Sequence, residues 1–217
     1  MIMAYITTDK EEIIINNIDK DLFPQEVIST DPHQKFKESA HWLNYFLCGF
    51  KAIFALESPL KGKVEKPKGM KILIDSVVPQ AAGLSSSSAF CVCAAVTILH
   101  ANGLINDMNQ ATLADLVIKA ERLAGTACGG MDQTISVMAQ MNTAKFIDFV
   151  PELKATDVLV PESVSLVIAN SLTPSPKLLT LGTRYNKRVV ECRFATALLA
   201  LKTGMISSFV DCQYKTF

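Results

Sequence analysis

The sequence lacks an excess of charge of either sign. Its 217 residues contain 21 Lys and Arg against 21 Asp and Glu, so the formal net charge at pH 7 is +0. A protein that binds nucleic acid or an anionic membrane surface needs a basic patch, and the sequence has no long run of like charges. The composition therefore predicts a protein with neither nucleic acid nor a membrane as its partner, and we expect a monomer.

Cysteine pairs, histidines and long hydrophobic runs are also scarce. The 6 cysteines form no CxxC pair, and only 3 histidines are present, which favours reduced thiols over a zinc site. The first six residues lack the basic and apolar regions of a signal peptide. The longest mainly apolar stretch, from Ala89 to Leu99, is shorter than the roughly 20 residues of a membrane span. We therefore expect a cytoplasmic protein.

Hydrophobic residues make up 49% of the chain, which is enough for a substantial core. Hydrophobic periodicity and the Gly and Pro positions predict helices over 41–55, 86–100, 112–124, 131–138 and 184–201, and strands over 11–18, 70–78, 144–149, 157–160 and 164–169. Residues 20–40 are predicted to be irregular, 171–176 to be a turn, and Thr112 with Asp115 to cap the third helix. Because strands and helices alternate without strict βαβ repetition, the predicted fold class is α+β.

A serine-rich loop follows the second predicted strand. The segment from Pro79 runs through Gly83 and Leu84 into a tetraserine, Ser85, Ser86, Ser87 and Ser88, which opens the apolar second helix. The first N–H groups of a helix lack intrahelical partners and small residues let an anion approach, so this arrangement suits phosphate binding. An ordinary serine N-cap is the alternative interpretation. Neither a Walker A motif nor a GxGxxG motif is present.

Two carboxylates flank a glycine-containing turn further along the chain. Glu121 lies near the end of the third predicted helix, at the border of its apolar stripe, and Asp132 opens the fourth after Gly129 and Gly130. Each acid has a structural alternative, as a surface-border carboxylate or a charge at a helix N-terminus. Beside a phosphate loop, one acid holding Mg²⁺ and one acting as a base are what phosphoryl transfer requires.

The two motifs together resemble the GHMP kinases. Pro-x-x-x-Gly-Leu-Ser-Ser-Ser followed by Gly-Gly-Met-Asp-Gln is similar to the second GHMP signature and to the aspartate segment of the galactokinase subgroup. The segments that begin at His41 and at Tyr185 resemble the N-acetylgalactosamine kinase branch. The resemblance implies a GHMP N-terminal domain of the ribosomal protein S5 domain 2-like type, a mixed sheet in two layers with helices.

The resemblance also implies residue roles, with ATP and Mg²⁺ as cofactors. It places Gly83, Leu84, Ser85, Ser86 and Ser87 at the ATP phosphates. It implies Ser87 and Glu121 as Mg²⁺ ligands and Asp132 as the catalytic base at the sugar. Gly129, Asp132 and Tyr185 fall where the family contacts the sugar substrate.

Two signatures of the family are not found in this sequence: the N-terminal one, which carries a transition-state arginine, and the C-terminal glycine-rich one. We therefore expect an N-terminal ATP-binding domain over residues 1–183 and a helix over 184–217 that leads into a truncated second domain. The expected function is an ATP-dependent sugar 1-kinase for N-acetylgalactosamine or galactose, impaired by truncation. The alternatives are a catalytically inactive fragment that binds nucleotide or sugar, and a GHMP kinase for mevalonate or homoserine.

Overall fold

The structure is a computed structural model that describes residues 1–38, 41–55, 57–60, 62–173 and 180–209. The chain divides into two units, Met1–Ser175 and Pro176–Phe217. The domain boundary predicted after residue 183 lies slightly further along the chain. Helices and a mixed sheet occur together in the first unit, so the predicted α+β class is confirmed.

The main sheet has four strands in the order β1-β4-β2-β3. These are β1 (Ile2–Thr8), β2 (Glu12–Asn17), β3 (Glu26–Ser29) and β4 (Gly69–Asp75). Strand β4 is antiparallel to β1 and parallel to β2, which pairs antiparallel with β3. Alternate side chains such as Ile15 and Ile72 are buried, whereas Ile6 and Leu73 are exposed, so one face of the sheet forms the core.

Two of these strands were not predicted from the sequence. Strand β1 was given no assignment, and β3 lies inside the segment that was predicted to be irregular. Strand β3 has only four residues and forms by pairing with β2, a tertiary interaction that local periodicity does not report. Strand β4 ends at Asp75 rather than at residue 78.

The helices of the first unit are α1 (Leu43–Phe54), α2 (Ser86–Ala101), α3 (Gln110–Leu123) and α4 (Met131–Met138), with a short 3₁₀ turn at Ile105–Asp107. The predicted helices 41–55, 86–100, 112–124 and 131–138 are thus confirmed within two residues at each end. Helices α1 and α2 approach closely at Gly49, where a Cβ would stand 2.6 Å from the carbonyl oxygen of Cys91 and 2.7 Å from the amide nitrogen of Ala95. This contact fixes the position of α2, and with it the loop that precedes α2.

The predicted capping box of the third helix is wrong. Helix α3 begins at Gln110, and the side chain of Asn109 accepts a hydrogen bond of 2.8 Å from the Thr112 amide. Asp115, the proposed box partner, forms an exposed ion pair with Lys119 at 2.7 Å. Asparagine is a strong N-cap residue, so the cap is supplied three residues before Thr112.

Strands β5 (Thr143–Asp148) and β6 (Lys154–Leu159) form a separate antiparallel pair. The strand predicted over 164–169 is wrong, because these residues form neither helix nor strand. Val167 is 92% exposed and Ile168 is 89% exposed. A strand requires a partner for its backbone groups, and no strand in the described part of the chain pairs with this segment.

In the second unit, the π-helical turn Leu181–Tyr185 leads into α5 (Asn186–Lys202), which confirms the last predicted helix to within two residues. Most of α5 is exposed, and Ala197 and Ala200 are its buried residues. Among the described residues, no helix combines the length and the apolar character needed to cross a bilayer. Part of the predicted turn at 171–176 lies outside the described residues.

Candidate active site

The loop between β4 and α2 has an unusual backbone. Ala81, Gly83 and Ser85 all have positive φ, at 54°, 73° and 54°, while Ala82 and Leu84 between them do not. Backbones that alternate in this way turn successive N–H groups toward one side, and such concave arrangements bind anions. The alternating φ values are compatible with an anion-binding loop, and phosphate binding here stays a prediction.

Helix α2 begins directly after this loop. Ser85 takes the left-handed conformation with ψ of 40°, and its side chain makes no capping hydrogen bond within the described part of the chain. The first backbone N–H groups of α2 consequently remain open to a ligand, and the helix dipole favours negative charge there. Gly83 and Leu84 are exposed, and Ser85, Ser86 and Ser87 are half-buried, so all five predicted phosphate residues lie on this rim.

Glu121 lies deeper than the sequence suggested. It was predicted at the border of the apolar stripe of α3, and the structure buries it completely, at 0% exposure. A buried carboxylate is costly unless hydrogen bonds compensate it. Ser88 Oγ donates to Glu121 Oε2 at 3.2 Å, and Gln133 Nε2 donates to the same oxygen at 2.5 Å. The carboxylate thus joins the first turn of α2 to the first turn of α4.

The side chains near Glu121 have shifted pKa values. Burial raises the pKa of the Tyr45 phenol well above its usual range, and the nearby carboxylate of Glu121 raises it further. Burial also raises the pKa of the Cys91 thiol, with smaller contributions from Cys48 and Glu121. The surroundings of Glu121 are therefore dry, and the donors from Ser88 and Gln133 matter correspondingly more.

Asp132 occupies the first turn of α4 and is half-buried. It stands one residue before Gln133, so the turn that contacts Glu121 also carries the predicted base. Helix α4 starts after Gly130, whose φ is 103° and where a Cβ would stand 2.7 Å from Ile118 Cδ1 on α3. Glycine adopts this backbone conformation without strain, and the close packing against Ile118 sets where Asp132 and Gln133 lie relative to α3.

The two remaining predicted sugar contacts differ in their placement. Gly129 is exposed, and apart from its chain neighbours no atom of the described residues lies within 4 Å of the position that a Cβ would take. Tyr185 ends the π-helical turn of the second unit. The structure therefore brings the phosphate loop, Glu121 and the segment around Asp132 together in one unit, and the role of Tyr185 stays a prediction.

Sequence reasoning missed two residues of this site. Ser88 rather than Ser87 makes the hydrogen bond that the structure describes to Glu121, and Gln133 was quoted only as part of a motif. Burial marks both residues in the structure, where Ser88 is 1% exposed and Gln133 is 0% exposed. A buried polar side chain needs a polar partner, but no local pattern in the sequence shows that Ser88 turns inward.

Ser88 and Glu121 supply a hydroxyl and a carboxylate oxygen, the kinds of ligand that Mg²⁺ takes. Two oxygens bound side by side to Mg²⁺ at about 2.0–2.1 Å lie roughly 2.9 Å apart, and Ser88 Oγ lies 3.2 Å from Glu121 Oε2. Among the described residues, no group of three or more His, Cys, Asp or Glu could hold a metal. A Mg²⁺ ion held by these two oxygens would need its other ligands from outside this pair, such as phosphates and water.

Known proteins resemble this chain in sequence and in fold. Residues 44–140 match the family described as GHMP kinases N terminal domain. The galactokinase of Dictyostelium discoideum is 45% identical over 179 residues, which cover 81% of this chain and 34% of that protein. The galactokinase of Schizosaccharomyces pombe is 34% identical and covers 99% of this chain and 46% of that protein. The chain thus spans less than half the length of these two curated relatives.

A solved structure supports the fold. The crystal structure of Lactococcus lactis galactokinase complexed with galactose superposes with a TM-score of 0.63 at 20% identity, over 97% of this chain and 50% of that one. At this identity the likeness concerns the fold alone. The comparisons agree with one another: residues 44–140 match the GHMP kinases N terminal domain, the chain is similar in sequence to galactokinases, and its fold is like that of one galactokinase structure.

Proposed function

We propose that this chain provides the ATP-binding and base-bearing part of an ATP-dependent sugar 1-kinase. The observation that carries the proposal is the phosphate loop facing a buried carboxylate, with Ser88 and Glu121 in hydrogen-bond contact. The proposed acceptor is galactose or N-acetylgalactosamine at its anomeric hydroxyl. The similarity to galactokinases supports the sugar class, and the N-acetyl preference rests on sequence resemblance alone.

The phosphate loop positions the nucleotide in this proposal. Backbone N–H groups of residues 83–87 bind the ATP phosphates, since the positive end of α2 lies there. Ser87 or Ser88, with Glu121, would hold Mg²⁺. When bound, the ion neutralises charge on the phosphates during transfer. Leu84, 56% exposed at the rim, leaves its backbone accessible to the nucleotide.

Asp132 performs the proton transfer. Its carboxylate accepts the proton of the anomeric hydroxyl, and the sugar oxygen attacks the γ-phosphorus while the bond to the β–γ bridging oxygen breaks, releasing ADP. Gly129, with open space where a Cβ would stand, allows the sugar to approach the backbone closely. That the protein is a monomer and is located in the cytoplasm stays a prediction from the sequence.

The test measures ATP-dependent phosphorylation of galactose and of N-acetylgalactosamine by this chain and by Asp132→Asn. The matched control is Asp115→Asn, which removes an exposed acid that pairs with Lys119 on α3. Turnover that is lost in Asp132→Asn and kept in the control supports the kinase. Nucleotide binding without turnover would instead support the non-catalytic alternative, and the absence of both would contradict the proposal.

A further inference from the structure

Gln133 is the residue most closely tied to the buried carboxylate. Its side chain is 0% exposed, and its amide nitrogen donates to Glu121 Oε2 at 2.5 Å and to Cys128 Sγ at 3.4 Å. A carboxylate can only accept hydrogen bonds, so contact with Glu121 determines which end of the amide is the nitrogen. The amide oxygen, Oε1, is buried and accepts no hydrogen bond within the described part of the chain.

Three helices meet at this single carboxylate. Glu121 comes from the last turn of α3, Ser88 from the first turn of α2 and Gln133 from the first turn of α4. Ser88 lies directly after the predicted phosphate-binding loop, whereas Gln133 is the residue after the predicted base, Asp132. The Glu121 side chain has several rotatable bonds, and two donors on one oxygen restrict it to one orientation.

The first turn of α4 is itself rigidly placed. An added Cβ at Gly130 would stand 2.7 Å from Ile118 Cδ1 and 3.0 Å from Phe149 Cε1, so the start of α4 packs closely on its neighbours. Gln133 therefore reaches Glu121 from a fixed backbone. Thr134 is equally buried, at 0% exposure, but its described side-chain hydrogen bond goes to the Gly130 carbonyl oxygen at 2.8 Å and not to Glu121.

We propose that Gln133 is a positioning residue for the divalent cation that accompanies the nucleotide. Its amide holds the Glu121 carboxylate in the orientation in which that group serves the cation. This inference rests on the proposed function and assigns to Gln133 a task that is separate from the proton transfer of its neighbour Asp132. Hydrogen-bond partners that orient a metal ligand commonly contribute about 10–100-fold to metal affinity.

The experiment measures binding of a fluorescent ATP analogue to the 217-residue chain, once with Mg²⁺ and once with EDTA. Gln133→Met keeps the length of the side chain and removes the amide. Gln133→Asn keeps the amide on a shorter side chain, and it serves as the second variant should the Met variant fail to fold. Thr134→Val is the matched control, because it removes a buried polar group from the same turn without touching Glu121. Glu121→Gln removes the carboxylate itself and shows how large the effect is when that group is lost completely.

We expect the gain in affinity that Mg²⁺ brings to fall by about 10–100-fold in Gln133→Met, to recover in part in Gln133→Asn and to be retained in Thr134→Val. Affinity in EDTA should not change in any of them. Equal losses in Gln133→Met and Thr134→Val, or equal losses with and without Mg²⁺, would overturn the inference. A wild-type chain that gains nothing from Mg²⁺ would overturn the proposed function itself, and this inference with it. Loss in Glu121→Gln alone would leave the proposed function standing and reject the role of Gln133.

Discussion

Two adjacent glycines give opposite expectations for the same substitution. Gly130 has a φ of 103°, and an added Cβ would stand 2.7 Å from Ile118 Cδ1 and 3.0 Å from Phe149 Cε1. Gly129 lies outside the left-handed region, and nothing lies within 4 Å of its Cβ position. Alanine at each position therefore separates backbone strain and crowding from the mere loss of a glycine.

The magnitudes follow from these contacts. At Gly130, strain in a sparsely populated backbone region costs about 1–3 kcal/mol, and overpacking typically costs about 1–3 kcal/mol. Ile118 Cδ1 is the end of a flexible side chain and can move, which places the sum near the lower half of the combined range. Restricting the unfolded chain returns roughly 0.4–1 kcal/mol for a Gly to Ala change. After that return we expect Gly130→Ala to lose about 1–3.5 kcal/mol and Gly129→Ala to lose nothing or to gain up to about 1 kcal/mol.

Urea denaturation followed by circular dichroism measures both variants against the wild type. Under the proposed function, Gly129→Ala should also weaken galactose phosphorylation while the protein stays fully folded, because a Cβ would occupy the space that the sugar approaches. Neutral surface substitutions change the free energy of unfolding by no more than about 0.5 kcal/mol. A Gly130→Ala variant whose free energy of unfolding stays that close to the wild-type value would refute the reasoning. So would equal destabilisation by the two variants.

Three further predictions concern stability. Asn109→Ala removes the hydrogen bond to the Thr112 amide and should lower the free energy of unfolding by about 1 kcal/mol in urea titrations. Gly49→Ala would gain about 1 kcal/mol of helix propensity, yet its Cβ would meet the backbone of α2 at 2.6 Å; we expect a lower melting temperature, and a rise would contradict the observed helix crossing. Burial and Glu121 raise the pKa of Tyr45, so the folded protein holds this proton at pH values where the unfolded chain releases it. The free energy of unfolding should therefore fall as pH rises above 10.0, the ordinary value, and fall less in Tyr45→Phe.

The sequence predicts the larger elements of this fold well, for a physical reason. Helices α1 and α3 each bury a stripe of mainly apolar side chains, so their hydrophobic period is a direct consequence of the core. Helix α2 is apolar around most of its surface, whereas the buried residues of α4 are Gln133 and Thr134. Strand β2, with Ile13 and Ile15 fully buried, is rich in β-branched residues and was equally readable. The short strand β3 and the unpaired segment 164–169 were misjudged because strand formation depends on a partner elsewhere in the chain.

The candidate site could be predicted in part from the sequence. The motif order predicted a phosphate loop and two acids, and the structure brings the loop and Glu121 into contact through Ser88. Spacing does not say which serine of four consecutive ones turns inward, because that depends on the rotation of α2. The close crossing with α1 at Gly49 fixes that rotation, and no local pattern reports it.

The strained loop before α2 and the buried carboxylate of Glu121 are structurally connected. Ala81 and Ser85 adopt a left-handed conformation that costs an L-residue roughly 1–2 kcal/mol. Such strain persists only where the surrounding structure enforces it, and it concentrates at functional sites. The enforcement comes from the helix that follows, since α2 is held by its crossing with α1 and by the bond from Ser88 to Glu121. Because Gln133 holds that same carboxylate from α4, the loop that would receive phosphate and the turn that carries Asp132 are positioned by one shared group. Under the proposed function, a site assembled in this way would be arranged before a nucleotide arrives, so binding would not need to order it.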